Sequence, residues 1–569
     1  MKSLEEQRDD EEGAALVPPQ LVESSAAAER QLVAARWRRR AQKLVPARGV
    51  GLVIAGLLVL ALLVVGGGGG TSRWIHLDYA STFLPGSGGG GVKQHRWPPH
   101  HIPSPEADLV PIPFSCGDNG NSSSSLASAC PRRRTGTTAV QSPSTSPSLT
   151  PSLASKSSSS KKQAPPPQCP EYFRYIHSDL SPWRETGITR ETGITRETVE
   201  RGRGRAAFRL VIVDGRAYVE TYHRVFQTRD TFTQWGIAQL LARYPGRVPD
   251  LDLMFNCDDM PVVRSSEAAP PPLFRYCKDD TTVDIVFPDW SFWGWPEVNI
   301  RPWAPLLEEM ADETARLPWA EREPYAYWKG NPTVHGERSD LLRCNDSSGE
   351  WRTRVFWQDW RAANRDGFRD SNLAKQCRYR YKIYVRGRSW SVSQKYILAC
   401  DSPVLLVATP FKDFFSRGLV AGRHYWPIDP GARKCADIKF AVDWGNAHPE
   451  QARRMAEEGS GFARHDLSMD YVYDYMLHLL TEYASLLRYK PTVPEKAVEL
   501  CAETIACPAA AHANNRKFNF MMESRERYVA DYQPCTLPPP FTDDEVREMA
   551  RRDQEARCNV HKMMTTMTP

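Results

Sequence analysis

The sequence predicts an α/β protein of two lobes, set behind one membrane-spanning helix and a disordered stalk. Three observations carry this. Strand and helix signals alternate through the C-terminal two-thirds, the pattern of parallel sheets covered by helices. That block starts at Cys169 of the 569-residue chain and holds about 400 residues, more than one core usually supports. Residues 50–65 are apolar or glycine without a break, and no charged residue lies between Arg48 and Arg73.

The uncharged window, residues 49–72, is long enough to cross a bilayer. A cleaved signal peptide fits less well, because its charged leader should be brief and the glycines at 66–70 lead into no A-x-A-like site. Arg36, Arg38, Arg39, Arg40, Lys43 and Arg48 crowd the N-terminal flank, against Arg73 alone close on the other side. The positive-inside bias therefore predicts a single-pass type II protein with a cytoplasmic tail and a luminal remainder. A short apolar anchor suits a thin early-secretory membrane, of the Golgi or the endoplasmic reticulum. The expected organisation is a tail (1–48), an anchor (49–72), a stalk rich in Gly, Ser, Pro and Thr (73–168), a catalytic block (169–495) and a Cys-containing extension (496–569).

A net charge of +5 with 25% charged residues is too weak to imply a nucleic-acid partner. All 13 Cys lie beyond the anchor, where disulfides persist, and an odd number leaves at least one unpaired. Asn121-Ser122-Ser123 and Asn345-Asp346-Ser347 are glycosylation sequons. The 17 Trp and 21 Tyr suit either sugar stacking or an aromatic core, and composition does not separate the two.

Within the block, apolar runs at 208–213 and 217–221 flank Asp214-Gly215, a strong hairpin signal. Residues 229–244 have helical spacing, and 251–255 read as a buried strand. Residues 378–385 alternate like a strand, 391–400 read as a helix, 404–407 as a short strand and 469–487 as a long amphipathic helix. The hexamer Arg-Glu-Thr-Gly-Ile-Thr occurs twice, at 184–189 and 190–195, which is too short for a solenoid repeat and reads as a local insertion.

Four clusters carry chemistry. Asp258 and Asp259 follow an apolar strand and precede Met260-Pro261, where a general base is well placed, although two carboxylates there can also merely cap a turn. Asp250-Leu251-Asp252 spells the metal-binding D-x-D of some sugar transferases, but before the strand rather than after it. Asp289, Trp290, Ser291, Phe292, Trp293 and Gly294 form either an aromatic wall for an acceptor or simple core packing. Tyr327-Trp328-Lys329-Gly330-Asn331 with Glu337-Arg338 lets backbone approach an anion. Arg386, Gly387, Arg388, Ser389, Trp390 and Ser391, with Lys395 one turn on, form a strand, glycine turn and helix start suited to a diphosphate.

In order, Asp179–Trp183, the Gly-Ile-Thr-Arg stretch, residues 257–261, 290–293, 327–331, 377–382, 386–391 with 395–400, and Gly461-Phe462 before Met469-Asp470 resemble glycosyltransferase family 90. The likeness is to the Rumi-like protein O-glucosyltransferases and their fungal and plant relatives, above all the membrane-anchored plant branch with its Pro-Pro-Pro-Leu-Phe-Arg-Tyr-Cys segment (270–277). The resemblance implies a GT-B-like fold of two Rossmann-like lobes and an inverting, metal-independent transfer with no cofactor. Asp259 is then the base. Asn331, Arg338, Arg386 through Ser391 and Lys395 bind the UDP-sugar, residues 289–294 bind the acceptor, and Cys377 pairs with Cys400. Lys329 and Asn331 stand where such proteins more usually have Arg and Ser. The donor implied is UDP-glucose or UDP-xylose, and the acceptor a hydroxyl on protein or polysaccharide. The alternatives are a pentosyltransferase acting on a wall glycan and an inactive, membrane-tethered carbohydrate-binding protein.

Overall fold

The computed structural model describes residues 109–116, 130–131, 166–184, 193–345, 350–510 and 515–567. The tail, the anchor at 49–72, most of the stalk, Asn121 and the junction of the two hexamers lie outside the described residues. Among the described residues no helix is long and apolar enough to cross a membrane.

Two sheets organise the α/β fold. The first contains β1 (Phe208–Val213), β2 (Arg216–Thr221), β3 (Leu251–Phe255), β4 (Leu273–Arg275), β5 (Ile285–Val286) and β11 (Val498–Leu500), in the order β11-β2-β1-β3-β4-β5. The second contains β6 (Glu323–Gly330), β7 (Thr353–Trp357), β8 (Tyr379–Tyr384), β9 (Val404–Val407) and β10 (Tyr425–Ile428), in the order β10-β9-β8-β6-β7. The second sheet is parallel throughout, as the alternation of strand and helix predicts. The first is mixed, not parallel. Asp214 and Gly215 both take positive φ, 51° and 71°, and their two-residue turn returns β2 antiparallel to β1. Strand β3 also runs antiparallel to β1, and only β3, β4 and β5 are mutually parallel.

Strand β3 is buried along its whole length, which follows from its unbroken apolar face with Asp252 as the one charge. That charge is neutralised: Arg209 on β1 grips Asp252 through two hydrogen bonds of 2.7 and 2.6 Å, and the Tyr489 hydroxyl adds a third at 2.8 Å. Asp250 accepts the Asp214 N–H at 2.8 Å. Both carboxylates of the D-x-D are thus committed to holding the sheet together.

The expected C-terminal extension packs as part of the block. It supplies β11 at the edge of the first sheet, Phe520 and Met521 to one core, and Val560 and Met564 of the Asp543–Met567 helix to the other. Cys169–Cys535 closes the two ends of the block on each other. Part of the expected stalk is likewise ordered, which corrects its reading as disordered throughout. Ile112 N–H bonds the Arg527 carbonyl at 2.8 Å, and Cys116–Cys507 and Cys130–Cys501 fasten the segment covalently. The implied Cys377–Cys400 disulfide is present, together with Cys344–Cys435, while Cys257, Cys277 and Cys558 are free thiols.

Candidate active site

Asp259 lies in the loop that follows β3. The strand ends at Phe255, so strand alternation does not decide which of Asp258 and Asp259 faces inward. Neighbouring side chains decide it. The Asp258 side chain is exposed, with its N–H on Asn256 Oδ1 at 2.7 Å. The Asp259 side chain is 30% exposed, and its Oδ1 accepts from Arg229 Nη1 at 2.9 Å. Arg229 is the first residue of the Arg229–Arg243 helix. Its buried guanidinium lies 4.5 Å from the Trp290 ring and also donates to the Cys257 carbonyl, at 3.3 Å. One Asp259 carboxylate oxygen is therefore steered while the group stays open to solvent.

Arg338 comes from the short Gly336–Leu341 helix of the second lobe. Its Nε donates to the Arg386 carbonyl at 2.7 Å and its Nη2 to Ser391 Oγ at 3.1 Å. Among the described residues no carboxylate forms an ion pair with it. Burial lowers the pKa of its guanidinium, and the field of Asp259 works in the opposite direction. Arg386 donates to Glu337 Oε1 at 3.0 Å and sits 2.7 Å from His335 Nε2. Gly387 is required here, because a Cβ would lie 2.8 Å from the Trp390 carbonyl oxygen. Asn331 caps its own turn, its Oδ1 accepting the Thr333 N–H at 3.0 Å. Arg388 is exposed. The helix expected at 391 starts at Ser393, with no side-chain cap, and Ser391 Oγ instead meets Arg338 and Ser393.

The structure separates the remaining candidates from this surface. Trp290, Ser291, Phe292 and Trp293 are at most 1% exposed, so the alternating rings are core packing and not an open wall. Trp293 is locked between Tyr473, which accepts its Nε1 hydrogen bond at 3.0 Å, and Gly236, where a Cβ would come within 2.4 Å of the ring. Asp289 is also buried, accepting from the Ser291 N–H at 2.9 Å. Gly294 takes φ +129° against Phe520. Trp390 packs between Tyr276 and Trp290. Lys395 does not join the arginine turn. Its Nζ reaches across to Ser291 Oγ at 2.5 Å and lies 3.7 Å from Asp289, over the Phe292 ring. Ser389 is fully buried and turned toward the first lobe. Arg229 escaped the sequence reading; an arginine opening an apolar helix thirty residues before the acidic pair is its only signal.

The buried Lys395, Asp289 and Asp413 form a coupled charge cluster. Burial pushes the Asp413 carboxyl up to about 6, opposed by the Ser416 N–H it accepts and by Lys395. The folded state thus holds this proton more tightly than the unfolded chain. Its contribution to stability falls as pH rises from about 4 to about 6, by roughly 3 kcal/mol at most. Replacing Asp413 with Asn is expected to raise the melting temperature at pH 7 but not at pH 4, as thermal melts at the two values will show.

Residues 164–564 match the family model described as Glycosyl transferase family 90, more than half of the chain. The chain belongs to glycosyltransferase family 90. It is a sugar-transferring enzyme. The transferase is 27% identical over 339 residues to protein O-glucosyltransferase 1 of Bos taurus, covering 57% of this chain and 83% of that protein. To the Homo sapiens protein O-glucosyltransferase 1 it is 27% identical over 337 residues, covering 57% and 82%. To O-glucosyltransferase rumi of Drosophila melanogaster it is 25% identical over 341 residues, covering 57% and 78%. The match spans both lobes of the transferase and most of the segment beyond residue 495.

Proposed function

We propose that this family 90 member is an inverting transferase of GT-B type that moves glucose or xylose from a UDP-sugar to a hydroxyl on a protein or glycan, with Asp259 as base. One observation carries the reading: a partly exposed, steered carboxylate on the first lobe lies within the electrostatic reach of Arg338 of the second, whose guanidinium is held by carbonyl and hydroxyl groups and not by an acid. The acceptor hydroxyl gives its proton to Asp259 as its oxygen bonds the anomeric carbon. The bond from that carbon to the UDP oxygen breaks, and the departing diphosphate takes its charge to Arg338 and Arg386. Attack opposite the leaving group inverts the anomeric centre. The names of the relatives support glucose and a protein acceptor for this chain as well.

The same reading places the catalytic block in the lumen of the Golgi or endoplasmic reticulum, anchored by residues 49–72. The five disulfides support an oxidising compartment. It further makes the reaction independent of a metal ion, because arginines can take the diphosphate charge directly and both D-x-D carboxylates are occupied. The test is transfer by the purified protein from a panel of UDP-sugars in excess EDTA. Activity with UDP-glucose or UDP-xylose is expected to persist. Loss of transfer that manganese alone restores would overturn the metal-independent assignment, and no turnover of any UDP-sugar would overturn the donor class.

A further inference from the structure

Ser389 belongs by sequence to the arginine turn, yet it does not face the ligand side of that turn. It is fully buried, and its hydroxyl donates to the backbone carbonyl of Asp259 in the other lobe at 2.6 Å. The turn that presents it is stiff: Gly387 N–H bonds the Trp390 carbonyl at 3.0 Å, and Trp390 is wedged against Tyr276 and Trp290, with ring centroids 5.7 and 6.1 Å apart. The same carbonyl receives a weaker donor, the Cys277 thiol at 3.3 Å, which burial keeps protonated by pushing it up to about 12. The loop carrying Asp259 is fixed on either side, by Asn256 Oδ1 on the Asp258 N–H and by the Asp284 carboxylate on the Val262 and Val263 N–H groups. Among the described residues, the hydrogen bonds to Asp259 itself come from Arg229 on the carboxylate and from the Ser389 and Cys277 pair on the carbonyl.

We infer that Ser389 is a positioning residue, whose hydroxyl on the Asp259 carbonyl lets the arginine turn of one lobe set the placement of the base in the other. This rests on the reading of Asp259 as the base. The carbonyl is attached to the Cα from which the carboxylate side chain springs, so fixing that peptide plane fixes the pivot of the base. Displacing a catalytic group by about 1 Å can cost on the order of 10²-fold in rate, and a hydroxyl withdrawn while Cys277 remains costs part of that. Among the described residues, the hydrogen bonds of Arg338 and Arg386 go to groups other than the Ser389 side chain.

The experiment compares Ser389→Ala, Asp259→Asn and the double variant in the full chain, reading kcat for transfer, KM for the donor and the dissociation constant of UDP. Ser389→Ala is expected to lower kcat about tenfold with UDP affinity within twofold of wild type, and to lower nothing further in the Asp259→Asn background, because residues that act through one another are not additive. Ser389→Cys, which keeps a weaker donor of similar size, is expected to fall between wild type and Ala, and it replaces the Ala variant should that fail to fold. Wild-type kcat in Ser389→Ala alongside a crippled Asp259→Asn would overturn the positioning role and leave the base intact. An equal tenfold loss in both backgrounds, or a loss confined to UDP affinity, would overturn it in favour of a structural or donor-binding part. Wild-type kcat in Asp259→Asn would instead overturn the base, and the positioning role with it.

Discussion

Asp259→Asn is expected to lower sugar transfer by roughly 10²-fold or more, the scale of general-base catalysis, while leaving UDP affinity unchanged. Asparagine keeps an oxygen for Arg229 Nη1, and the backbone carbonyl held by Ser389 and Cys277 is untouched. What it loses is a basic lone pair. Asp258→Asn is the control, because the Asp258 side chain is exposed, whereas that of its neighbour is only partly so and is steered by Arg229. Steady-state transfer and calorimetric UDP titration on both variants separate the outcomes. A wild-type rate for Asp259→Asn with a crippled Asp258→Asn would move the base by one residue; two wild-type rates would reduce the pair to a turn.

Arg338→Ala is expected to cost about 10²- to 10³-fold in kcat/KM for the donor, the range found when one preorganised charge-stabilising donor is removed. The substitution removes the charge that the diphosphate would meet, and it also frees the Arg386 carbonyl and Ser391 Oγ, between which the guanidinium is stretched. Arg338→Lys keeps the charge as a single point that cannot span both partners, so it should recover only part of the loss. UDP affinity measured on folded protein decides the matter. Unchanged UDP binding in Arg338→Ala would remove Arg338 from the donor site.

Much of this architecture was legible because it is local. The hairpin at Asp214-Gly215, the buried strand β3 and the turn at Gly387 each follow from a short stretch of residue types, and the parallel second sheet follows from the alternation of strand and helix signals. The acidic pair stands out in the sequence as well, and family likeness alone singles out Asp259 as the proposed base. What the sequence hid depends on partners distant along the chain. Buried rings and an acceptor wall share one pattern, and only packing against Arg229, Tyr473 and Gly236 tells them apart for residues 290–293. Lys395 sits one turn from the arginines, but a four-carbon stem can bend away from them, and here a buried acid draws it to Asp289. Strand polarity in the first sheet was hidden because the pairing of β3 with β1 skips over a helix. Thirteen cysteines allow too many pairings for spacing to choose among them.

The disulfide map also orders the assembly of the molecule in time. Cys377–Cys400 and Cys344–Cys435 span 23 and 91 residues, so both can close before the segment that carries Cys501, Cys507 and Cys535 has been made, at about 5–20 residues per second. Cys116, Cys130 and Cys169 wait for Cys507, Cys501 and Cys535, separations of 391, 371 and 366 residues. The second lobe can therefore be sealed while the first still lacks its clasps, and until their partners emerge Cys116, Cys130 and Cys169 stay reduced, beside Cys257 and Cys277. A chain cut short before Cys501 would keep both sealed crosslinks of one lobe and none of those that bind the other.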